Sequence, residues 1–90
     1  MSPVYILESI RTPRGKAKES GGLHELSPYE LLDSLYNYIL ENEYVDFNKI
    51  DDVILGCVTQ QGEQAGNIAK SSARFSGLPD KLNGLTLNRF

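Results

Sequence analysis

The sequence has few of the residues that cross-link or anchor small proteins. It contains one cysteine, Cys57, so it cannot form an internal disulfide bond. It contains one histidine, His24, which has no partner at a spacing typical of a metal site. Its apolar runs, such as residues 53–55, are far too short to cross a bilayer. These shortages argue against a disulfide scaffold, a membrane span and a metal centre.

The sequence also lacks a strong charge bias and a leader-like N-terminus. Its net charge of −3 at pH 7 favours neither nucleic acid nor an anionic membrane as a partner. Residues 1–4 have neither the basic stretch nor the apolar stretch of a secretory signal. With an unpaired cysteine, this predicts a cytoplasmic protein. A hydrophobic content of 40% is typical of a folded globular chain rather than a disordered one.

Strand-like and helix-like segments alternate along the chain. Residues 4–7 form a short apolar, β-favouring run. Residues 52–58 are apolar nearly throughout, which is typical of a strand covered on both faces. Residues 85–88 are the third strand-like segment.

Two helices are predicted between these strands. Ser27, Pro28 and Glu30 form a typical helix start, and apolar residues then recur at helical spacing until the pattern fades near Asn42. Residues 65–76 form a second helix of mostly small side chains, with Gly77 at its end. The connections are long enough for parallel pairing. The predicted fold class is α/β, in the order β-α-β-α-β, with a mainly parallel sheet.

No residue is assigned a catalytic role from its pattern alone. Cys57 is interpreted as a small buried side chain within a strand rather than as a nucleophile. His24 is interpreted as a loop histidine that makes a structural hydrogen bond. The basic stretch at residues 11–18 does not match a phosphate-binding P-loop, and we interpret it as a solvated loop, with attraction of phosphate groups as the alternative.

Five segments in register along the chain resemble the N-terminal part of thiolases. Residues 9–13 resemble the family's RTP segment, and residues 14–16 resemble its degradative branch. Residues 51–58 are similar to the family's second strand, and residues 62–69 to the loop and helix that follow it. Residues 86–90 resemble the strand that leads into the nucleophilic cysteine, in the pattern N-x-x-C.

The resemblance implies the first half of a thiolase N-terminal domain at residues 1–90, within a layered α-β-α-β-α protein. It implies an acyl-CoA:acetyl-CoA C-acyltransferase that cleaves 3-ketoacyl-CoA with CoA through a cysteine acyl-enzyme, in fatty acid β-oxidation. Coenzyme A thioesters are the implied substrates, and no cofactor is implied. The alternatives are a biosynthetic acetyl-CoA acetyltransferase, a ketoacyl-synthase-like condensing enzyme, and a separately expressed piece that binds a partner.

The resemblance also assigns roles to particular residues. The nucleophile is expected immediately after Phe90, so no residue of this chain is expected to be catalytic and the chain alone is expected to be inactive. Asn88, Arg89 and Phe90 are expected beside the active site in a structural role.

A second implied site is an interface. In the family, the loop and small-residue helix lie between subunits, which implies interface roles for Gln64, Asn67, Ala69 and Ala73. The implied partners are the remainder of the thiolase chain and further copies of the protein, as a homodimer or a tetramer.

Overall fold

The computed structural model describes residues 2–42 and 45–89. Its elements are helix α1 (Pro28–Glu41), strand β1 (Asp52–Gly56), helix α2 (Ile68–Phe75) and strand β2 (Asn83–Leu87), with 3₁₀ turns at Phe47–Lys49 and Gly62–Gln64. The two strands pair in parallel, from Asp52 opposite Asn83 to Gly56 opposite Leu87. The predicted α/β class and the parallel pairing are confirmed.

Helix α1 begins and ends where the sequence predicts. The Ser27 hydroxyl accepts a hydrogen bond from the Glu30 backbone nitrogen at 3.1 Å, and Pro28 occupies the first turn, where its missing N–H costs nothing. Asn42 caps the other end: its backbone and side-chain nitrogens both donate to the Tyr38 carbonyl. Local capping therefore fixes both ends of this helix.

Helix α2 begins at Ile68, three residues later than predicted. Gly66 has a φ of +69°, in the left-handed region that a helix cannot include. Asn67 is the N-cap, and its side chain accepts a hydrogen bond from the Lys70 backbone nitrogen at 3.3 Å. At the other end Gly77 has a φ of +80°, which confirms the predicted stop.

The predicted strand at residues 4–7 is wrong for this structure. This segment has no strand pairing, and Val4 and Ile6 are almost fully exposed. A strand is stable only beside a hydrogen-bonded neighbour, and within the described residues β1 pairs with β2 alone. The apolar pattern thus identified a segment that favours extended backbone without identifying its partner.

The core lies on one face of the two-stranded sheet. Ala73, Leu78 and Leu82 are buried together, and Tyr36 of α1 and Val53 of β1 pack against them. Both helices therefore contact the same cluster, α1 through Tyr36 and α2 through Ala73. The Tyr36 hydroxyl also lies 3.0 Å from the Ser72 hydroxyl, which joins the two helices.

In the part of the chain that the structure describes, nothing packs on the opposite face of the sheet. Ile54, Leu85 and Leu87 lie on it and are exposed. The prediction that the strand at residues 52–58 is covered on both faces is therefore wrong for this chain, because both helices pack on the face that carries Val53. An exposed apolar sheet face is a surface on which another element can pack.

Candidate functional site

The carboxyl ends of β1 and β2 meet at one edge of the sheet. The Cys57 backbone nitrogen donates to the Leu87 carbonyl at 2.8 Å, one residue beyond the end of β1. The Asn88 side-chain amide donates to the Val58 carbonyl at 3.3 Å. These bonds hold the residues that follow β2 against the loop that follows β1. Open α/β sheets commonly bind ligands at this edge, outside the carboxyl ends of parallel strands.

The loop after β1 is fixed by its own side-chain amides. Gln64 Nε2 donates to the Thr59 carbonyl at 2.6 Å and lies 3.5 Å from the Cys57 sulfur. Gln60 Nε2 donates to the Cys57 carbonyl at 3.4 Å. We call Cys57, Thr59, Gln60, Gln64 and Asn88 the carboxyl-edge cluster. The amides of Gln60, Gln64 and Asn88 donate to backbone carbonyls of the loop, so these three side chains help to hold its backbone in place.

Cys57 is half-buried, so the prediction of full burial is wrong. It lies just past β1, where the strand gives way to the loop, and its thiol donates to the Thr59 carbonyl at 3.5 Å. Its sulfur lies between the Gln64 amide and the Thr59 carbonyl, and its predicted structural role stays a prediction.

An apolar cleft of about 260 Å³ opens beside the carboxyl-edge cluster. Residues of α1 and of the end of β1 line it, together with Cys57 and Gln64 of the carboxyl-edge cluster. The lining residues are Thr12, Pro28, Leu31, Leu32, Leu35, Leu55, Gly56, Cys57, Gln64 and Ile68. Mostly apolar walls with a few polar groups are typical of pockets that accept an apolar group.

A second cleft of about 410 Å³ lies next to the first, and Thr12 and Leu35 line both clefts. It is lined by residues 10–13, which include the RTP segment, and by Ser34, Leu35 and Tyr38. The RTP segment therefore faces the middle of α1, and its Thr12 also lines the cleft that Cys57 and Gln64 of the carboxyl-edge cluster line.

The predicted active-site neighbours and interface residues lie in different surroundings. Asn88 and Arg89 are exposed at the carboxyl edge, and Phe90 lies outside the described residues. Gln64 belongs to the carboxyl-edge cluster and is half-buried. The structure thus brings Gln64 and Asn88 to the same edge, although the resemblance assigned them to different roles.

Asn67 ties α2 to β2. Its Nδ2 donates to the Gly84 carbonyl at 2.7 Å, and its Oδ1 accepts from the Thr86 hydroxyl at 2.8 Å. The Thr86 oxygen in turn accepts from the Ala69 backbone nitrogen at 3.2 Å. Ala69 and Ala73 are buried within the chain. Their small size serves the packing of this chain on itself, and the interface role stays a prediction.

Sequence reasoning did not identify Thr59, Gln60 and Thr86 as site residues. The available signal was the run of amide side chains in a loop with little charge, since amides there often bond to nearby carbonyls. Gln60 and Gln64 reach carbonyls a few residues away in the same loop, whereas the bond from Asn88 to the Val58 carbonyl depends on the pairing of β1 with β2, which the loop sequence does not contain.

The chain matches the family model described as thiolase, N-terminal domain, over residues 4–90. The chain belongs to the thiolase family. It is 39% identical over 90 residues to a 3-ketoacyl-CoA thiolase of Idiomarina loihiensis, covering 99% of this chain and 23% of that protein. It is 38% identical over 87 residues to a β-ketoadipyl-CoA thiolase of Pseudomonas knackmussii, covering 96% and 21%. The resemblance read from the motifs is confirmed.

The fold of this thiolase-family chain is also found in a solved structure. It superimposes on the crystal structure of the Bacillus anthracis acetyl-CoA acetyltransferase with a TM-score of 0.66 and 32% identity, covering 77% of this chain and 17% of that chain. The chain spans less than a quarter of the length of the curated relatives it matches. Among the described residues, no helix is long and apolar enough to cross a membrane.

Proposed function

We propose that this chain acts as the N-terminal segment of an acyl-CoA:acetyl-CoA C-acyltransferase. The reaction is cleavage of 3-ketoacyl-CoA by CoA through a cysteine acyl-enzyme, in fatty acid β-oxidation. Coenzyme A thioesters are the substrates, and the chemistry requires no metal or organic cofactor, because a thiolate supplies the nucleophile. The names of the relatives support the substrate class, since the Idiomarina loihiensis protein is a 3-ketoacyl-CoA thiolase.

The observation that carries the proposal is the joined carboxyl edge of β1 and β2 in a chain of this family. The bonds from Cys57 to Leu87 and from Asn88 to Val58 fix where the chain runs after β2. By the family pattern, the nucleophile follows Asn88 by three residues, at the position after Phe90. A nucleophile is effective when the backbone that carries it is held rigidly near the reacting carbonyl.

The test is a thiolysis assay on the protein expressed in full from its own gene. Release of acetyl-CoA from 3-ketoacyl-CoA and CoA is measured, and the acylated peptide is identified by mass spectrometry after a single turnover. We expect turnover and an acyl group on a cysteine other than Cys57. A protein that neither turns over nor becomes acylated refutes the proposal and leaves the partner-binding alternative.

A biosynthetic acetyl-CoA acetyltransferase is the second candidate. The likeness to the Bacillus anthracis acetyl-CoA acetyltransferase favours it, at a TM-score of 0.66. The two candidates differ in substrate length. Cleavage of acetoacetyl-CoA is compared with that of 3-ketoacyl-CoA substrates of medium and long chain. A ratio of kcat/KM that favours longer chains supports the degradative enzyme, and a ratio that favours acetoacetyl-CoA supports the biosynthetic one.

We further propose that the protein works as a homodimer or tetramer in the cytoplasm. The open sheet face that carries Ile54, Leu85 and Leu87 is a surface that the remainder of the chain or a further copy can cover, because an apolar surface of this kind gains stability when it is covered. The half-buried Gln64 and the exposed Asn67 are the proposed interface residues with surface left to contact a partner. Sedimentation of the protein expressed in full measures its mass, and the mass of a single chain would contradict the proposed dimer or tetramer.

A further inference from the structure

Three successive backbone carbonyls after β1 each accept a hydrogen bond from a side-chain amide. The Cys57 carbonyl accepts from Gln60, the Val58 carbonyl from Asn88 and the Thr59 carbonyl from Gln64. Asn88 follows the other strand, so the middle bond joins two segments that are 30 residues apart. The direction of the Val58 carbonyl therefore depends on how its two neighbours are held.

Gln64 makes the shortest of the three bonds, at 2.6 Å, and its Nε2 also lies 3.5 Å from the Cys57 sulfur. The Gln64 side chain thus contacts the residue before Val58 and the residue after it. An amide has two donors, and here both are used within the loop. Rotation of the Val58 peptide would have to disturb a residue that Gln64 holds.

We propose that Gln64 is a positioning residue that acts through the Val58 carbonyl on Asn88 and so fixes the chain that follows β2. The catalytic half of this inference rests on the proposed thiolase function, in which that chain leads to the nucleophile. Gln64 acts on backbone rather than on the reacting atoms. Its loss therefore lowers kcat and leaves KM nearly unchanged, because the nucleophile is misplaced while substrate binding elsewhere persists.

The sequence offers a matched control in Gln61. It lies three residues before Gln64 in the same loop, it is exposed, and its side chain makes no capping bond at the Gly62–Gln64 turn. Gln61→Ala removes the same chemical group as Gln64→Ala. Gln64→Glu keeps the shape of the side chain and removes the donors at neutral pH. It is the second variant, in case Gln64→Ala does not fold.

The first measurement is hydrogen exchange at single amides in the protein expressed in full. The Cys57 amide reports the carboxyl edge, since it donates to the Leu87 carbonyl, and the Asn83 amide reports the other end of the strand pair, since it donates to the Asp51 carbonyl at 3.1 Å. Gln64→Ala and Gln64→Glu should speed exchange of the Cys57 amide by roughly three- to tenfold, the range expected for one lost hydrogen bond. Exchange of the Asn83 amide should stay unchanged, as should both amides in Gln61→Ala.

Two exchange results overturn the proposal. Equal exchange of the Cys57 amide in the Gln64 and Gln61 variants shows that Gln64 does not hold the edge. A parallel rise at the Cys57 and Asn83 amides shows general destabilisation instead of positioning.

The second measurement is the kinetics of 3-ketoacyl-CoA cleavage by the same variants. In an active parent protein, both Gln64 variants should lower kcat by roughly three- to tenfold and change KM by less than about twofold. Unchanged kcat with faster Cys57 exchange overturns the catalytic half alone. An inactive parent protein counts against the proposed thiolase function, and the exchange measurement still decides whether Gln64 holds the edge.

Discussion

Gly84 is the residue at which helix α2 and strand β2 come closest together. A Cβ built on Gly84 would lie 2.5 Å from the Lys70 backbone nitrogen and 2.8 Å from its Cα. Backbone atoms of a helix cannot move aside as the end of a side chain can, so Gly84→Ala should push α2 off the sheet. We expect the free energy of unfolding to fall by about 1–3 kcal/mol, measured by urea denaturation of the protein expressed in full.

Gly56→Ala is the matched control for this substitution. Gly56 lies in the neighbouring strand, and a Cβ there meets no atom within 4 Å. We expect its effect to stay below about 1 kcal/mol. If the two variants lose the same stability, the close approach of α2 to β2 is not what requires glycine at position 84.

Local signals at single residues were read correctly from the sequence. Ser27 caps α1 and Gly77 ends α2 because each acts on backbone within a few residues of itself. The role of Gly84 could not be read in this way. It depends on Lys70, which is distant in the sequence and is brought to the strand only when the helix packs on the sheet.

At the scale of elements, Asn67 holds the start of α2 to the middle of β2. Its side chain bonds to the Lys70 backbone nitrogen, the Gly84 carbonyl and the Thr86 hydroxyl. Asn67→Ala removes all three bonds and leaves the Gly84 carbonyl without this donor. We expect a loss of about 1–3 kcal/mol in the free energy of unfolding.

Ser27→Ala provides the comparison, because the Ser27 hydroxyl accepts a single capping bond, from Glu30. That substitution should cost about 1 kcal/mol. The loss of stability in Asn67→Asp should fall between the losses in Ser27→Ala and Asn67→Ala. Aspartate keeps the capping acceptor but loses the donor to the Gly84 carbonyl. A cost for Asn67→Ala no larger than that of Ser27→Ala would mean that the bonds to β2 add no stability.

The elements differ in how far the sequence predicts them. Helix α1 carries its own caps and apolar stripe, so both of its ends were predicted. Helix α2 starts later than predicted because Gly66 has a left-handed backbone and Asn67 bonds across to β2. The bond of Asn67 to β2 joins residues far apart in the sequence, so the helix sequence alone does not reveal it. The segment at residues 4–7 favours extended backbone, but whether it pairs depends on a neighbour that its own residues do not specify.

The candidate site was predictable only in outline. The family pattern pointed to Asn88 beside the active site and to Gln64 in the loop, and the structure brings both to the carboxyl edge. The bond from Asn88 to the Val58 carbonyl joins the segments that follow the two strands, so it depends on the register of β1 against β2. A register is a property of two segments together, so no single motif could contain it.

At the scale of the whole molecule, the described residues leave one face of the sheet uncovered. A two-stranded sheet is marginally stable in water, and strand edges and apolar faces that stay open promote self-association. Leu85 and Leu87 are exposed by 47% and 50% on this face. We therefore expect residues 1–90, expressed alone, to self-associate rather than to unfold cooperatively as a monomer.

Two double variants of the same composition test whether the open sheet face causes this self-association. Leu85→Lys with Leu87→Lys places two charges on the open sheet face. Leu26→Lys with Leu40→Lys places them off the sheet, at leucines that are exposed by 44% and 50%. If the sheet face drives association, the first pair should shift residues 1–90 toward monomer in a sedimentation experiment, and the second pair should leave the distribution unchanged. Equal shifts in both pairs would assign the effect to net charge.

The last prediction is that residues 1–90 alone do not cleave 3-ketoacyl-CoA, whatever their state of association. Their one thiol, Cys57, is half-buried and engaged with Thr59 and Gln64, and thiolysis requires a free thiolate that can reach the acyl carbon. The measurement is acetyl-CoA release by this segment beside the protein expressed in full at equal molar concentration. Cys57→Ala serves as the blank. Turnover by residues 1–90 that Cys57→Ala abolishes would overturn the structural role of Cys57, because it would show that this thiol reacts with substrate.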